Sequence, residues 1–330
     1  MHLEWITTNE VDEDVENFIA SSANGGLFHS PGFLCYHESS KFPYPEFEIY
    51  HLVVRDETGI IAFMPGMRLY SQGRRIFRSP LGSSYGGLVH KLGLFYDDLD
   101  SIFEAVITEM DKQFDEIRIT PPSSVYAAPD ASMANYQHFL LLKHGFQVSS
   151  ADLLLCAPLT GQKDLMTTFH RKTRTELNQA LRNNLELEVS DFVTPEDYQL
   201  LFLSQSHFSA TPTHSMVELA TITRLRPNDV KVFRTVHQGQ IIGGIICFKI
   251  SNRVLNTFYI YDDRDFRHLK PNHFAYYHVL KYASENEFQY VDFGPSSAGY
   301  NDKKNLIFFK EKFGAHPYLR YAYIRSSIHE

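Results

Sequence analysis

The stretch Tyr290–Gly314, YVDFGPSSAGYNDKKNLIFFKEKFG, gathers residue types that can do chemistry, at a spacing that could bring them together. A short β-prone run, Tyr290-Val291, delivers a carboxylate at Asp292 and breaks on Gly294-Pro295. The polar loop from Ser296 to Asn305, which contains Tyr300 and a glycine, can bend closely around a ligand. The apolar run Leu306–Phe309 turns the chain back toward a core and presents Lys310 before Gly314 ends it. Charge at the end of a buried strand, beside a flexible loop and a returning lysine, suits a site at the edge of an α/β sheet. The same pattern suits a plain strand, a surface loop and a helix that Lys310 caps, so these residues alone leave both readings open.

Further candidates lie upstream. Tyr259 and Tyr261 share one side of the strand-like run Val254–Tyr261, because strand side chains alternate; they line a site or pack the sheet. Pro271 opens a helix, where its missing N–H is harmless, and its first turn carries Asn272 and His273, the latter a candidate proton acceptor. Arg264, Arg267, His268 and Lys270 cluster just before that helix start, a phosphate-seeking neighbourhood. Arg171, Arg174, Asn178 and Arg182 recur along one helical face, which suits phosphates or a solvated, ion-paired surface. There is no His-Glu-x-x-His, no paired-cysteine spacing, no Walker loop and no Gly-x-Ser-x-Gly elbow, so no metal site is expected.

The elements that must position these groups read as two similar halves. The 330 residues exceed one ordinary domain, and 43% hydrophobic with 14% aromatic content supports large cores. A net charge of -8 argues against a generic DNA coat. Three cysteines far apart suit a reducing, cytoplasmic setting; neither a signal peptide nor a membrane-spanning run is visible. The first half reads as a helix Glu13–Ala20, strands Phe47–Val54, Ile60–Tyr70 and Arg74–Ser79, a helix Asp98–Phe114, a strand Glu116–Thr120, a helix Met133–His144 and a strand Leu153–Ala157. Pro65 marks a bulge or a sheet edge in the second of those strands. A helical segment Lys163–Asn184 and a connecting strand Leu185–Val189 follow. The pattern then predicts a helix capped by Thr194 that buries Tyr198, Leu201, Phe202 and Gln205 or Phe208, and another over His214–Leu225 with Met216, Leu219 and Ala220 inward. A second meander, a helix from Pro271, the strand Tyr290–Asp292, a short helix and a last strand Tyr318–Ile324 repeat the order of the first half. Echoes such as VVRDETGIIAF and FRTVHQGQIIGGI point to a duplicated α/β unit.

Tyr290-Val291-Asp292-Phe293-Gly294 with Phe309-Lys310-Glu311-Lys312-Phe313-Gly314 resembles the DFG…FKxxFG ending of the Fem-type tandem-GNAT transferases. His170-Arg171-Lys172-Thr173-Arg174, running to Ala180, is similar to that group's basic helix ahead of its second domain. The resemblance implies an α/β (α+β) fold of two tandem GNAT-like domains, residues 1–160 and 161–330, each a mixed twisted sheet flanked by helices. It further implies an N-acyltransferase whose second domain passes an acyl group from a thioester, on CoA or an acyl-carrier protein, to an amine of a small molecule or cell-envelope precursor. No tightly bound cofactor is implied, the acyl donor serving as co-substrate. An aminoacyl-tRNA donor and a non-catalytic GNAT-derived binding module are the alternatives. In such a domain the strands Val254–Tyr261 and Tyr290–Asp292 splay apart, and backbone N–H groups in the gap polarise the carbonyl, a donor typically worth ~3 kcal/mol of barrier. Lys310 would stabilise the oxyanion or neutralise an acceptor carboxylate or phosphate, Asp292 would orient it or take the amine proton, and His273 and Tyr261 complete the catalytic candidates. Tyr259, Arg171, Arg174, Arg267, Asn272, Gly294, Ser296 and Tyr300 are the expected donor- and substrate-binding residues. One departure stands out: where acetyl-CoA users carry a glycine-rich pyrophosphate loop, this chain reads Arg267-His268-Leu269-Lys270-Pro271-Asn272-His273, without glycine.

Overall fold

A single dipeptide, Pro65-Gly66, sets the shape of the first half. Pro65 has no N–H for a sheet ladder, and a Cβ on Gly66 would stand 2.3 Å from the Phe77 ring. The run expected as one strand, Ile60–Tyr70, is therefore two strands that enter different sheets. The computed structural model describes residues 1–7, 13–36, 47–80, 82–159 and 164–326; Lys163, the expected helix start, and connector residues 37–46 lie outside them.

The chain divides into two compact units, Met1–Leu153 with Tyr318–Glu330, and Leu154–Pro317. In the first, β1 (His2–Ile6), α1 (Glu13–Ser21) and the short α2 (Pro31–Leu34) precede β2 (Phe47–Ile49), β3 (His51–Asp56), β4 (Gly59–Met64), β5 (Met67–Ser71) and β6 (Arg74–Ser79). Then come β7 (Val89–His90), α3 (Tyr96–Gln113), β8 (Glu116–Ile119), α4 (Ala134–Lys143) and β9 (Gln147–Pro158). Strands β1, β3, β4 and β7 make one small sheet. In the other, β2, β5 and β6 run antiparallel, β6 pairs parallel with β8, and β8 pairs antiparallel with the C-terminal strand. The apolar stripe of α3 (Leu99, Ile102, Phe103, Val106 and Met110) is buried in one core with Phe77, Ile117 and Ile119.

The second unit follows the same plan. After α5 (Arg171–Leu181) come β10 (Glu186–Ser190), α6 (Pro195–Ser206), α7 (Met216–Leu225), β11 (Val230–His237), β12 (Gln240–Lys249) and β13 (Val254–Asp262). A 3-10 turn, Arg264–Leu269, leads into α8 (Pro271–Glu285), then β14 (Tyr290–Pro295), the two-residue strands β15 (Ser297–Ala298) and β16 (Asn301–Asp302), α9 (Lys304–Glu311) and β17 (His316–Ser326), which from Tyr318 onward belongs to the first unit. The strand order is β10-β11-β12-β13-β14, completed by residues Leu154–Pro158 of β9. The inward face of α6 is Asp197, Leu201 and Ser204, whereas Phe202, expected inside, is exposed; of the two alternatives Gln205 and Phe208, Gln205 is half-buried and Phe208 exposed. The helix is rotated because Asp197 is drawn inward by Arg234, a partner 37 residues away. On α7 the buried residues are Glu218, Leu219 and Ile222; Ala220 is exposed.

Candidate active site

Strands β13 and β14 pair parallel at only three positions, Val254↔Tyr290, Leu255↔Val291 and Asn256↔Asp292. On the other side of β13, Ile246 faces Tyr259 and Cys247 faces Thr257, so Phe258 is an extra residue, a β-bulge. Parting and bulge fall within two residues of each other. Among the described residues no strand pairs with the β14-facing edge of β13 beyond Asn256. The corresponding parallel pair of the first unit stays closed: β6 and β8 match from Ile76↔Glu116 to Ser79↔Ile119, and Thr120 N then donates to Ser79 O at 2.8 Å.

A buried polar row crosses the sheet where β13 and β14 part. Cys156, Asp292 and Asn256 stand in register on β9, β14 and β13. Asn256 Nδ2 donates to Asp292 Oδ2 at 3.0 Å, and the other carboxylate oxygen accepts Gly294 N–H at 2.7 Å. Gly294 has φ +73°, a conformation that costs glycine little, and its turn exposes two carbonyls to Lys310. Lys310, 3% exposed, donates to Gly294 O at 2.9 Å and Pro295 O at 3.2 Å. Burial pushes its ammonium down to about 8, against the pull of Asp292 and Cys156. Burial, with the Asp292 charge alongside, pushes the Cys156 thiol well up, so it stays protonated. The Ser296 hydroxyl, 0% exposed, and Asn256 Oδ1 have no hydrogen-bond partner among the described residues, which leaves polar capacity beside the parting strands.

The start of α8 is arranged differently from a phosphate cradle. Lys270 caps the helix in the left-handed region at φ +64°, Pro271 lacks an N–H, and His273 N–H is taken by Lys270 O at 3.1 Å. The Glu176 carboxylate from α5 occupies the first turn, 3.3 Å from Lys270 Nζ and 3.1 Å from His273 Nε2. Burial opposes its charge, yet His273 and Lys270 hold it below the usual carboxylate range. The His273 imidazole is itself pushed down, mainly by burial, despite Glu176. These residues do not fit the pyrophosphate of CoA, since a carboxylate already engages the Lys270 and His273 side chains at this helix start.

Residues 171–302 match the family model described as "Acetyltransferase (GNAT) domain". The crystal structure of FemX superposes with a TM-score of 0.71 at 13% identity, over 99% of this chain and 97% of that one. The chain has the Fem-like tandem GNAT fold. The C-terminal domain of a putative lysylphosphatidylglycerol synthetase from Agrobacterium fabrum follows, with a TM-score of 0.55 and 17% identity over 82% of each chain. L-PGS from Bacillus licheniformis reaches 0.54 at 11% identity over 96% of this chain and 92% of its own. No curated protein matches the sequence.

In the GNAT unit the remaining candidates are spread out. The Tyr261 hydroxyl donates to Asp197 Oδ1 at 2.7 Å, within a buried network that also engages Arg234. Arg234 reaches both Asp197 oxygens, at 2.8 and 2.7 Å, and Glu188 at 2.7 Å. Burial opposes the Asp197 charge, but Arg234, Tyr261 and Thr194 outweigh it and lower its pKa. The Tyr259 hydroxyl meets His214 Nδ1 at 2.7 Å, and burial raises its pKa to about 12. The sequence pattern points to neither the Asp197–Arg234 pair nor His214 as a partner of the tyrosines. Their only sequence signal is the Thr194–Asp197 capping box, which gives no hint that the same carboxylate reaches Arg234. Arg267 grips the buried Asp262 with two nitrogens, Nη2 at 2.9 Å from Oδ1. Asn272 Oδ1 is buried and lacks a partner among the described residues. Arg171 is exposed and Arg174 half-buried on α5; among the described residues no carboxylate pairs with either. Tyr300, 77% exposed, stands between β15 and β16, apart from the buried row.

Proposed function

We propose that the GNAT unit is the transfer site of an N-acyltransferase that moves an activated acyl group onto an amine. The parting of β13 and β14 at Asn256, coinciding with the Phe258 bulge, carries this reading, because among the described residues no strand pairs with that edge of β13 beyond Asn256, which suits backbone donation to an acyl carbonyl. The amine forms a C–N bond to that carbonyl carbon, the C–S or C–O bond to the donor breaks, and the amine proton passes through water to the leaving atom. Lys310 acts as a positioning residue, fixing the Gly294-Pro295 carbonyls at the end of β14. Asp292 holds the same turn from its other side through Gly294 N–H.

The carboxylate at the head of α8 favours a donor that is not anchored there by a pyrophosphate. An acyl-carrier protein thioester meets that condition, and so does the aminoacyl ester of a tRNA, which the exposed Arg171 and the nearby Arg174 would suit. The acceptor is a small molecule or an envelope precursor in the cytoplasm. Transfer assays with labelled acyl groups on CoA, on a carrier protein and on tRNA, each with a panel of amines, test this. Amide formation from either carrier-held donor, faster than from acyl-CoA, is the expected result. Ligand binding without product from all three donors would instead identify a binding module.

A further inference from the structure

The helix that carries Lys310 has a second face. Lys310 turns inward to the Gly294-Pro295 carbonyls, whereas Lys304 and Phe308, with Lys312 just past the helix end, recur four residues apart on the outside. Lys304 and Phe308 are exposed, and the half-buried Lys312 holds its Nζ 3.9 Å from the centre of the Phe308 ring. The start of α5 continues this surface. His170 N–H donates to Lys312 O at 2.9 Å, which sets the exposed Arg171 and Lys172 beside the end of α9.

The charge on this strip is not used up within the GNAT unit. Among the described residues no ion pair joins Lys303, Lys304, Lys312 or Arg171 to a carboxylate, the neighbouring Asp302 and Glu311 included, while Lys172 adds to the pull on Glu176. Lys303 and Lys304 open α9 with no acid in the first turn, at the positive end of its dipole, where cations cost stability. The chain as a whole carries a net charge of -8, so the strip runs against the overall balance. Cations around an exposed aromatic suit an acidic protein surface with an apolar contact at its middle. Lys312 already covers a face of the Phe308 ring, the part on which a nucleobase would stack, and this favours a protein over RNA.

We propose that this strip docks a small acidic protein that carries the acyl donor, an acyl-carrier protein. The inference rests on the transfer reading for its purpose. The strip lies across α9 from the turn that Lys310 holds, about one helix diameter or ~10 Å away, so a thioester on a flexible arm can round the helix to the parted strands. Calorimetry with a purified, phosphopantetheinylated acyl-carrier protein tests it, using the wild-type chain, the double variant Lys304→Glu/Lys312→Glu and Phe308→Ser, with thermal melting to check that each stays folded. Saturable binding is expected, weakened about tenfold or more by the double charge reversal and several-fold by added salt. With an acyl group on the carrier, KM should rise about tenfold in the variants while kcat holds, and turnover of the same acyl group on a small thiol should not change. Carrier binding lost in both variants, with no product from any donor, would support the docking surface and refute the transfer reading. Product from the carrier-held donor with an unchanged KM in the variants would overturn the surface and leave that reading standing. Binding of tRNA tighter than that of the carrier protein, or self-association of the chain, lost in the same variants, would overturn the choice of partner.

Discussion

Asn256 and Asp292 are the last residues at which β13 and β14 face each other, and a 3.0 Å hydrogen bond from Asn256 Nδ2 to Asp292 Oδ2 closes the pair. Everything open in the GNAT unit begins just past that bond. Replacing Asn256 by leucine keeps the volume but removes the Nδ2 donor from a buried carboxylate. Urea unfolding should show a loss of about 1–3 kcal/mol, and transfer should fall as the seam loosens. Unfolding at the wild-type midpoint would mean that this bond does not hold the seam.

Lys310 makes a prediction with a defined sign. Its folded pKa of about 8 lies below the ordinary 10.5, so between those values the unfolded chain binds more protons. The penalty for burying the ammonium is full below about pH 8 and fades as pH rises toward 10.5. A neutral amine still has two N–H bonds for the two carbonyls it serves. The stability of the wild-type chain relative to Lys310→Met should therefore increase across that window in urea titrations. Lys310→Ala should also lower turnover by ~100-fold or more, if the Gly294-Pro295 edge must be fixed for the donors to aim correctly. A fully active Lys310→Ala protein would remove that role.

Glu176 stands guard at the head of α8. Glu176→Ala removes the negative charge that Lys270 and His273 share at the start of α8. Affinity for CoA or inorganic pyrophosphate, read by titration, should improve by roughly two- to fivefold, as expected for a charge near a helix N-terminus. Equal affinity in the two proteins would show that the carboxylate is not what keeps a pyrophosphate out.

The Asp197–Arg234–Tyr261 network separates stability from turnover. Asp197→Ala leaves Arg234 charged and buried, a change that costs about 3–5 kcal/mol. Tyr261→Phe removes one hydrogen bond of the carboxylate, about 1 kcal/mol, and on this geometry leaves the rate nearly unchanged. A Tyr261→Phe protein of normal stability and no activity would put the phenol back among the reacting groups. Because Asp197 is lowered, its contribution is complete above the ordinary aspartate range and is lost as pH falls through the folded value.

Local chemistry made much of this protein readable from its residues. The stripe of α3, the Pro271 start of α8, the Thr194 cap, the strands of the second meander and the Asp292…Lys310 spacing all depend on neighbours within a few turns, where periodicity and turn preference decide. Partner choice is not local. Lys310 lies 16 residues from the carbonyl of Gly294 that it holds, Asp197 lies 37 from Arg234, and Glu176 reaches His273 on another helix. The same sequence periodicity allows α6 to turn Phe202 or Asp197 inward; only the buried guanidinium on β11 settles which, because an unpaired buried charge costs more than an exposed ring. So the sequence by itself determined the order of elements and the duplicated plan. The tertiary structure decided where the strands part, which copy stays zipped, and which carboxylate meets which cation.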